Sequence, residues 1–107
     1  MFLFFIFLSI WSSLAAAAAG DMYFLRYDEA QLISVNFNNN LVGRYAKKGD
    51  SYEPYLGYII QKVESSGGSN IVTFYTDPGK TQTSKYYFNS NWTELNINGN
   101  TYKRVYW

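Results

Sequence analysis

The chain has no cysteine and no histidine among its 107 residues. Without cysteine it has no disulfide, no thiolate nucleophile and no lipid-modified cysteine. Without histidine it lacks the commonest general base and the commonest transition-metal ligand. Zinc, copper and iron sites are therefore not expected, and neither Ser-His-Asp nor Cys-His catalysis is possible. Proline occurs twice, and lysine plus arginine (9) nearly balance aspartate plus glutamate (8), for a net charge of +1. A charge this balanced points to neither nucleic acid nor an anionic membrane surface as partner. Gly67-Gly68 lacks the following Lys-Ser/Thr of a phosphate loop, and no dinucleotide fingerprint is present.

The first residues are dense in apolar side chains. Phe2 to Leu8 is an unbroken apolar run, and Ala15 to Gly20 supplies an Ala-x-Ala site such as Ala17-Ala18-Ala19. These are the core and the cleavage site of a secretory signal. Residues 1–19 are read as that signal, and 20–107 as a single all-β domain that works outside the cytoplasm. Cleavage leaves about 87 residues, all carrying the same net charge, because no charged residue precedes Asp21. No Lys or Arg precedes the apolar run, so the alternative is an uncleaved anchor that displays the domain at a membrane. Ser9, Ser12 and Ser13 interrupt the stretch, which is short for a span of about 20 residues.

A domain of this size is only marginally stabilised by one core, and small secreted domains commonly add disulfides. Aromatic side chains are the substitute here. The 11 tyrosines all follow the signal, and each large ring buries roughly 150–250 Å².

Beyond Gly20 the pattern has period two. Ile33, Val35 and Phe37 alternate with Ser34 and Asn36, which predicts a half-buried strand. Asn38-Asn39-Asn40 predicts a turn, and Leu41 to Ala46 the next strand. Lys47 to Pro54, with Gly49, Asp50 and Pro54, reads as a loop. Tyr55 to Glu64 reads as a strand buried on much of both faces, and Ser65 to Ser69 as a turn. Ile71 to Thr76 and Thr81 to Phe88 are strands around the turn Asp77-Pro78-Gly79-Lys80, where Pro presets φ and Gly tolerates a positive one. Asn98-Gly99 is a preferred type I′ pair. A two-residue loop there sets Leu95 opposite Tyr102 and Glu94 opposite Lys103. Residues 21–33 are ambiguous: Met22 to Tyr27 can be a strand, while Leu25, Glu29, Leu32 and Ile33 have helical spacing. The whole predicts an all-β fold, a small antiparallel meander barrel or sandwich of six to eight strands.

Leu41-Val42-Gly43-Arg44-Tyr45, the strand Val72-Thr73-Phe74 and the ending Leu95 to Val105 resemble small bacterial secreted lipocalin-like domains. In those, a Leu-x-Gly-x-Trp strand opens a meander barrel and a similar hairpin closes it. This chain has Tyr45 in place of the Trp, and about 20 residues lie between the signal and the supposed first strand. The resemblance implies a barrel and carries no functional residue with it.

Among chemistry-bearing residues, Asp50 and Glu53 share one stretch. Paired carboxylates serve glycoside hydrolysis when they face each other across a groove, and Asp50, Ser51 and Glu53 offer hard oxygen ligands of the kind calcium takes. A plain polar turn is the favoured reading of them, and no cofactor is expected. The feature with functional weight is the aromatic set Tyr52, Tyr55, Tyr58 and Trp92. A rigid ring with a polar tip suits a glycan or a protein partner; the same rings could fill the core, and Trp92 could pack opposite Val105. Asn91-Trp92-Thr93 is a glycosylation sequon if the source is eukaryotic or viral. The expected function is a secreted, non-catalytic binding module with an aromatic surface for an extracellular protein or glycan. The alternatives are a small carrier of an apolar ligand and a secreted inhibitor or effector.

Overall fold

A computed structural model describes residues 21–106. The signal, its Ala17–Ala19 site and Trp107 lie outside the described residues. Eight antiparallel strands close into one barrel: β1 Asp21–Arg26, β2 Gln31–Asn36, β3 Leu41–Lys48, β4 Ser51–Ser66, β5 Ser69–Tyr75, β6 Thr83–Asn89, β7 Glu94–Ile97 and β8 Asn100–Val105. Each strand pairs with the next, and β8 returns to β1 with Tyr23 opposite Val105 and Arg26 opposite Tyr102. Barrel, rather than sandwich, is therefore the architecture. An eight-strand antiparallel barrel is compatible with a lipocalin-like fold.

Residues 21–33 hold no helix. The helical spacing of Leu25, Glu29, Leu32 and Ile33 is incidental, because Tyr27 to Ala30 is a turn between β1 and β2. Glu29 takes φ 63° there, and Asp28 accepts from the Ala30 N–H at 3.0 Å. The C-terminal hairpin has its expected register, with Leu95 opposite Tyr102 and Glu94 opposite Lys103. Both turn residues have positive φ, 51° at Asn98 and 84° at Gly99, as a type I′ turn requires. In the turn after β5, the positive φ falls on Lys80 and not on Gly79. The Asp77 carboxylate orders this turn by accepting from the Thr81 hydroxyl at 2.6 Å and the Gln82 N–H at 2.8 Å.

Two expectations about β4 are corrected. Lys47 to Pro54 is not a loop: β3 and β4 run on to a tight turn at Gly49-Asp50. Nor is β4 buried on both faces; Ile60 is its only buried residue. Its 16 residues exceed the height of the barrel, so Ser51 to Ile59 pair with β3, and Ile60 to Ser66 pair with β5. Each half thus has one ladder partner among the described residues. That is also why Pro54, which lacks an N–H, is tolerated in a strand.

The interior is filled by inward-facing residues of all eight strands: Phe24, Ile33, Val35, Val42, Ile60, Val72, Phe74, Tyr86, Phe88, Leu95 and Tyr102. Aromatic contacts bind them together. Phe24 meets Phe88 at 5.0 Å, and Phe74 meets Tyr86 at 4.6 Å between ring centroids. The alternation that puts Ile33 and Val35 inside would leave Leu32, Ser34 and Asn36 outside, yet these are buried too. Part of that outer layer is Tyr45, whose ring lies over Gly43. A Cβ at Gly43 would stand 2.6 Å from the Ser34 Oγ and 3.2 Å from Tyr45.

The lower end of the barrel, with turns 37–40, 67–68 and 90–93, is plugged. Trp92 sits against Phe88 at 5.0 Å and Phe37 at 5.4 Å, not opposite Val105, which pairs with Tyr23. Trp92 holds φ 58°, a left-handed conformation that costs a bulky residue about 1–2 kcal/mol. Arg104 donates to the Trp92 carbonyl at 3.3 Å and holds the turn against the wall.

Two outcomes check this packing. Trp92→Ala is expected to destabilise the fold by roughly 3 kcal/mol in urea unfolding, because a large packed ring is lost from the plug. Gly43→Ala is expected to cost about 1–3 kcal/mol through overpacking, and Ser34→Ala in the same chain should recover part of it, which a double-mutant cycle measures.

Candidate functional site

The upper end of the barrel, with turns 27–30, 49–50, 76–82 and 98–99, is built differently. A bulge in β4 shapes it. Arg44 pairs with Leu56 and Tyr45 with Pro54, so Tyr55 is an extra residue on β4. Bulges bend the strand and re-aim its side chains. Here Tyr55 and Leu56 come out 46% and 43% exposed, side by side, with the Arg44 guanidinium 5.9 Å from the Tyr55 ring centre.

Arg44 projects inward from β3. Its Nη2 donates to the Gln31 Oε1 at 3.0 Å, and the buried Tyr102 hydroxyl donates to the same oxygen at 3.2 Å. Tyr86, Tyr55, Tyr102 and Tyr58 lie close enough to act on its charge. Its Nε–H is buried and has no acceptor. Arg26, also at this end, is fully engaged: its Nε and Nη2 each reach an Asp28 carboxylate oxygen at 2.8 Å. That fork holds the Asp28 carboxyl down at about 2.

The four aromatic residues singled out by sequence are not one patch. Tyr52 is half-buried and donates to the Glu29 carbonyl at 2.7 Å, which ties β4 to the turn 27–30. Tyr55 stands exposed at the rim. Tyr58 is inside, stacked on Phe74 at 4.9 Å. Trp92 plugs the opposite end. Asn91 is exposed beside it, and its Oδ1 accepts from the Thr93 hydroxyl at 2.8 Å, so the sequon amide is at the surface. Asp50 lies in the exposed β3–β4 turn, and Glu53 faces Lys48 at 3.7 Å. Arg44 and Gln31 carried no sequence signal of their own. A lone arginine in Leu-Val-Gly-Arg-Tyr reads as an outward charge until the period-two register sets Val42 and Arg44 on the same face.

Burial raises the hydroxyls of Tyr23, Tyr45, Tyr52 and Tyr86. It raises the Tyr86 hydroxyl to about 12 and pushes Tyr23 higher, with Asp21 adding to the second shift. A shallow depression of about 240 Å³ on the outer wall, lined by Tyr87, Glu94 and Asn96 among others, lies where β6 and β7 pair over only two residues.

No family model matches the chain, and no curated protein or solved structure matches it.

Tyr23 and Tyr86 set an alkaline limit. A phenol whose folded pKa is raised contributes stability that is fully present below its unfolded value and lost as pH climbs through the folded one. The melting temperature is therefore expected to fall between pH 10.0 and about 12, and Tyr86→Phe should weaken that fall. An unchanged melting temperature across that range would contradict the burial of these hydroxyls.

Proposed function

We propose that the chain is a secreted, non-catalytic binding module that engages an extracellular protein or glycan through the upper end of its barrel. One observation carries this reading. Tyr55 and Leu56 stand half-exposed on a bulge, in a stretch of β4 whose one ladder partner among the described residues is β3. A rigid aromatic beside an aliphatic, rimmed by polar turns, is the composition of a recognition surface. The absence of histidine and cysteine from the sequence supports a non-catalytic role, and the apolar N-terminal run supports export.

The Gly43-Tyr45 arrangement and the meander barrel support kinship with secreted lipocalin-like domains. The carrier reading that such kinship suggests fits less well. The barrel is filled by its own Phe24, Phe74, Tyr86, Phe88 and Tyr102, whereas a drug-sized ligand needs roughly 300 Å³ of pocket. An inhibitor or effector would use the same upper surface.

The test is capture with the immobilised chain, from the extracellular medium of the source and from an oligosaccharide panel. Tyr55→Ser with Leu56→Ser is expected to weaken the captured partner about tenfold or more, with an unchanged melting temperature. Tyr106→Ser, at the lower end, should leave it bound. A partner held equally by both variants would contradict the assignment.

A further inference from the structure

We infer that Arg44 is the anchor for a carboxylate, presented to the upper end of the barrel by an apolar carrier. This rests on the reading of that end as the recognition surface. Burying a charged group is costly unless it is paired. Arg44 sits among four tyrosines with no ion pair among the described residues. Its hydrogen-bond partner is a neutral amide oxygen, which it shares with Tyr102. One of its own donors, the Nε–H, is left without an acceptor.

The contrast with Arg26 sharpens the point. Both arginines lie at the upper end; Arg26 holds Asp28 in a fork, whereas no carboxylate among the described residues pairs with Arg44. The charge of Arg44 is left for something else. A carboxylate is the matching chemistry, because the planar guanidinium presents paired N–H donors at the spacing of two carboxylate oxygens. Tyrosines also suit it, as they donate hydrogen bonds without competing for the guanidinium as carboxylates. Arg44 is only partly buried and borders the exposed Tyr55 and Leu56. With the interior full, the rest of the ligand lies outside on those two side chains, so the carrier of the carboxylate is apolar next to the acid.

Two sources present this chemistry: a free amphiphilic acid, and the C-terminus of a protein ending in an apolar residue. The experiment is calorimetric titration of the protein secreted from the full chain. The probes are decanoate and its neutral counterpart decanol, and a short peptide ending in leucine as the free acid and as the amide. Saturable binding of a carboxylate probe is expected, weakened about tenfold or more in Arg44→Gln and in the neutral counterpart. Decanoate alone marks a free amphiphile, and the free-acid peptide alone marks a protein terminus.

Equal binding of charged and neutral probes, equal binding by Arg44→Gln, or no binding of either acid at millimolar concentration overturns the inference. If Arg44→Gln does not fold, the charged-against-neutral comparison on the native chain decides by itself. A partner that depends on Tyr55 and Leu56 but binds Arg44→Gln undiminished would defeat the carboxylate and leave the recognition surface standing. A partner indifferent to Tyr55 and Leu56 would defeat the surface itself.

Discussion

The pairing of β1 with β8 is the constraint on which the rest depends. A chain with no cysteine and little length beyond a single sheet has no covalent staple. An open sheet of eight strands would expose two edges and one whole face of its aromatic side chains. Closure at Tyr23–Arg26 against Tyr102–Val105 removes both edges and turns that face into an interior. The contact between Phe24 of β1 and Phe88 of β6 exists only because the sheet is closed. The aromatic richness of the sequence is thus first a means of filling a small barrel without a disulfide.

Closure also separates the two ends. At the lower end a tryptophan in a left-handed turn, an exposed phenylalanine and the Arg104 guanidinium make a plug, in which Arg104 donates to the Trp92 carbonyl while its buried Nε–H, like that of Arg44, has no acceptor. At the upper end a bulge in β4 leaves Tyr55 and Leu56 half-exposed, and Arg44 lies beside them with a buried donor unmet and no ion pair among the described residues. Both ends use an arginine against aromatic rings. Arg104 lies over the exposed Tyr106 ring beside a plugged end, whereas Arg44 lies beside the exposed Tyr55 and Leu56 on a bulge, and the recognition surface is proposed at that upper end.

Much of this was legible in the sequence where local chemistry decides structure. The Asn98-Gly99 hairpin carried its own register, since Leu95 and Tyr102 on one face and Glu94 and Lys103 on the other are mutually consistent. The strand from Ile33 and the asparagine turn after it were equally plain, although Phe37, read as the strand's last inward residue, begins the turn. What failed was what the closed sheet decides. Pro54 and Gly49-Asp50 read as a loop, because the sequence does not show that this half of β4 has a single ladder partner. Glu29 fell on a helical spacing by coincidence, across a turn. Of the aromatic set, Tyr58 and Trp92 went to packing and Tyr52 to tying a turn. Arg44 escaped notice because its meaning lies in what surrounds it, four tyrosines drawn from three other strands.

Amide hydrogen exchange, read residue by residue, tests the closed barrel most directly. The account predicts that amides joining Tyr23–Arg26 to Tyr102–Val105 exchange only through global unfolding, at the rate of core amides such as those of Val72 and Phe88. Amides on the side of Ser51–Ile59 turned away from β3 should exchange far faster. Fast exchange along the β1–β8 seam, at the rate of that free side of β4, would mean an open sheet and would contradict the filled, closed barrel from which the upper surface takes its form.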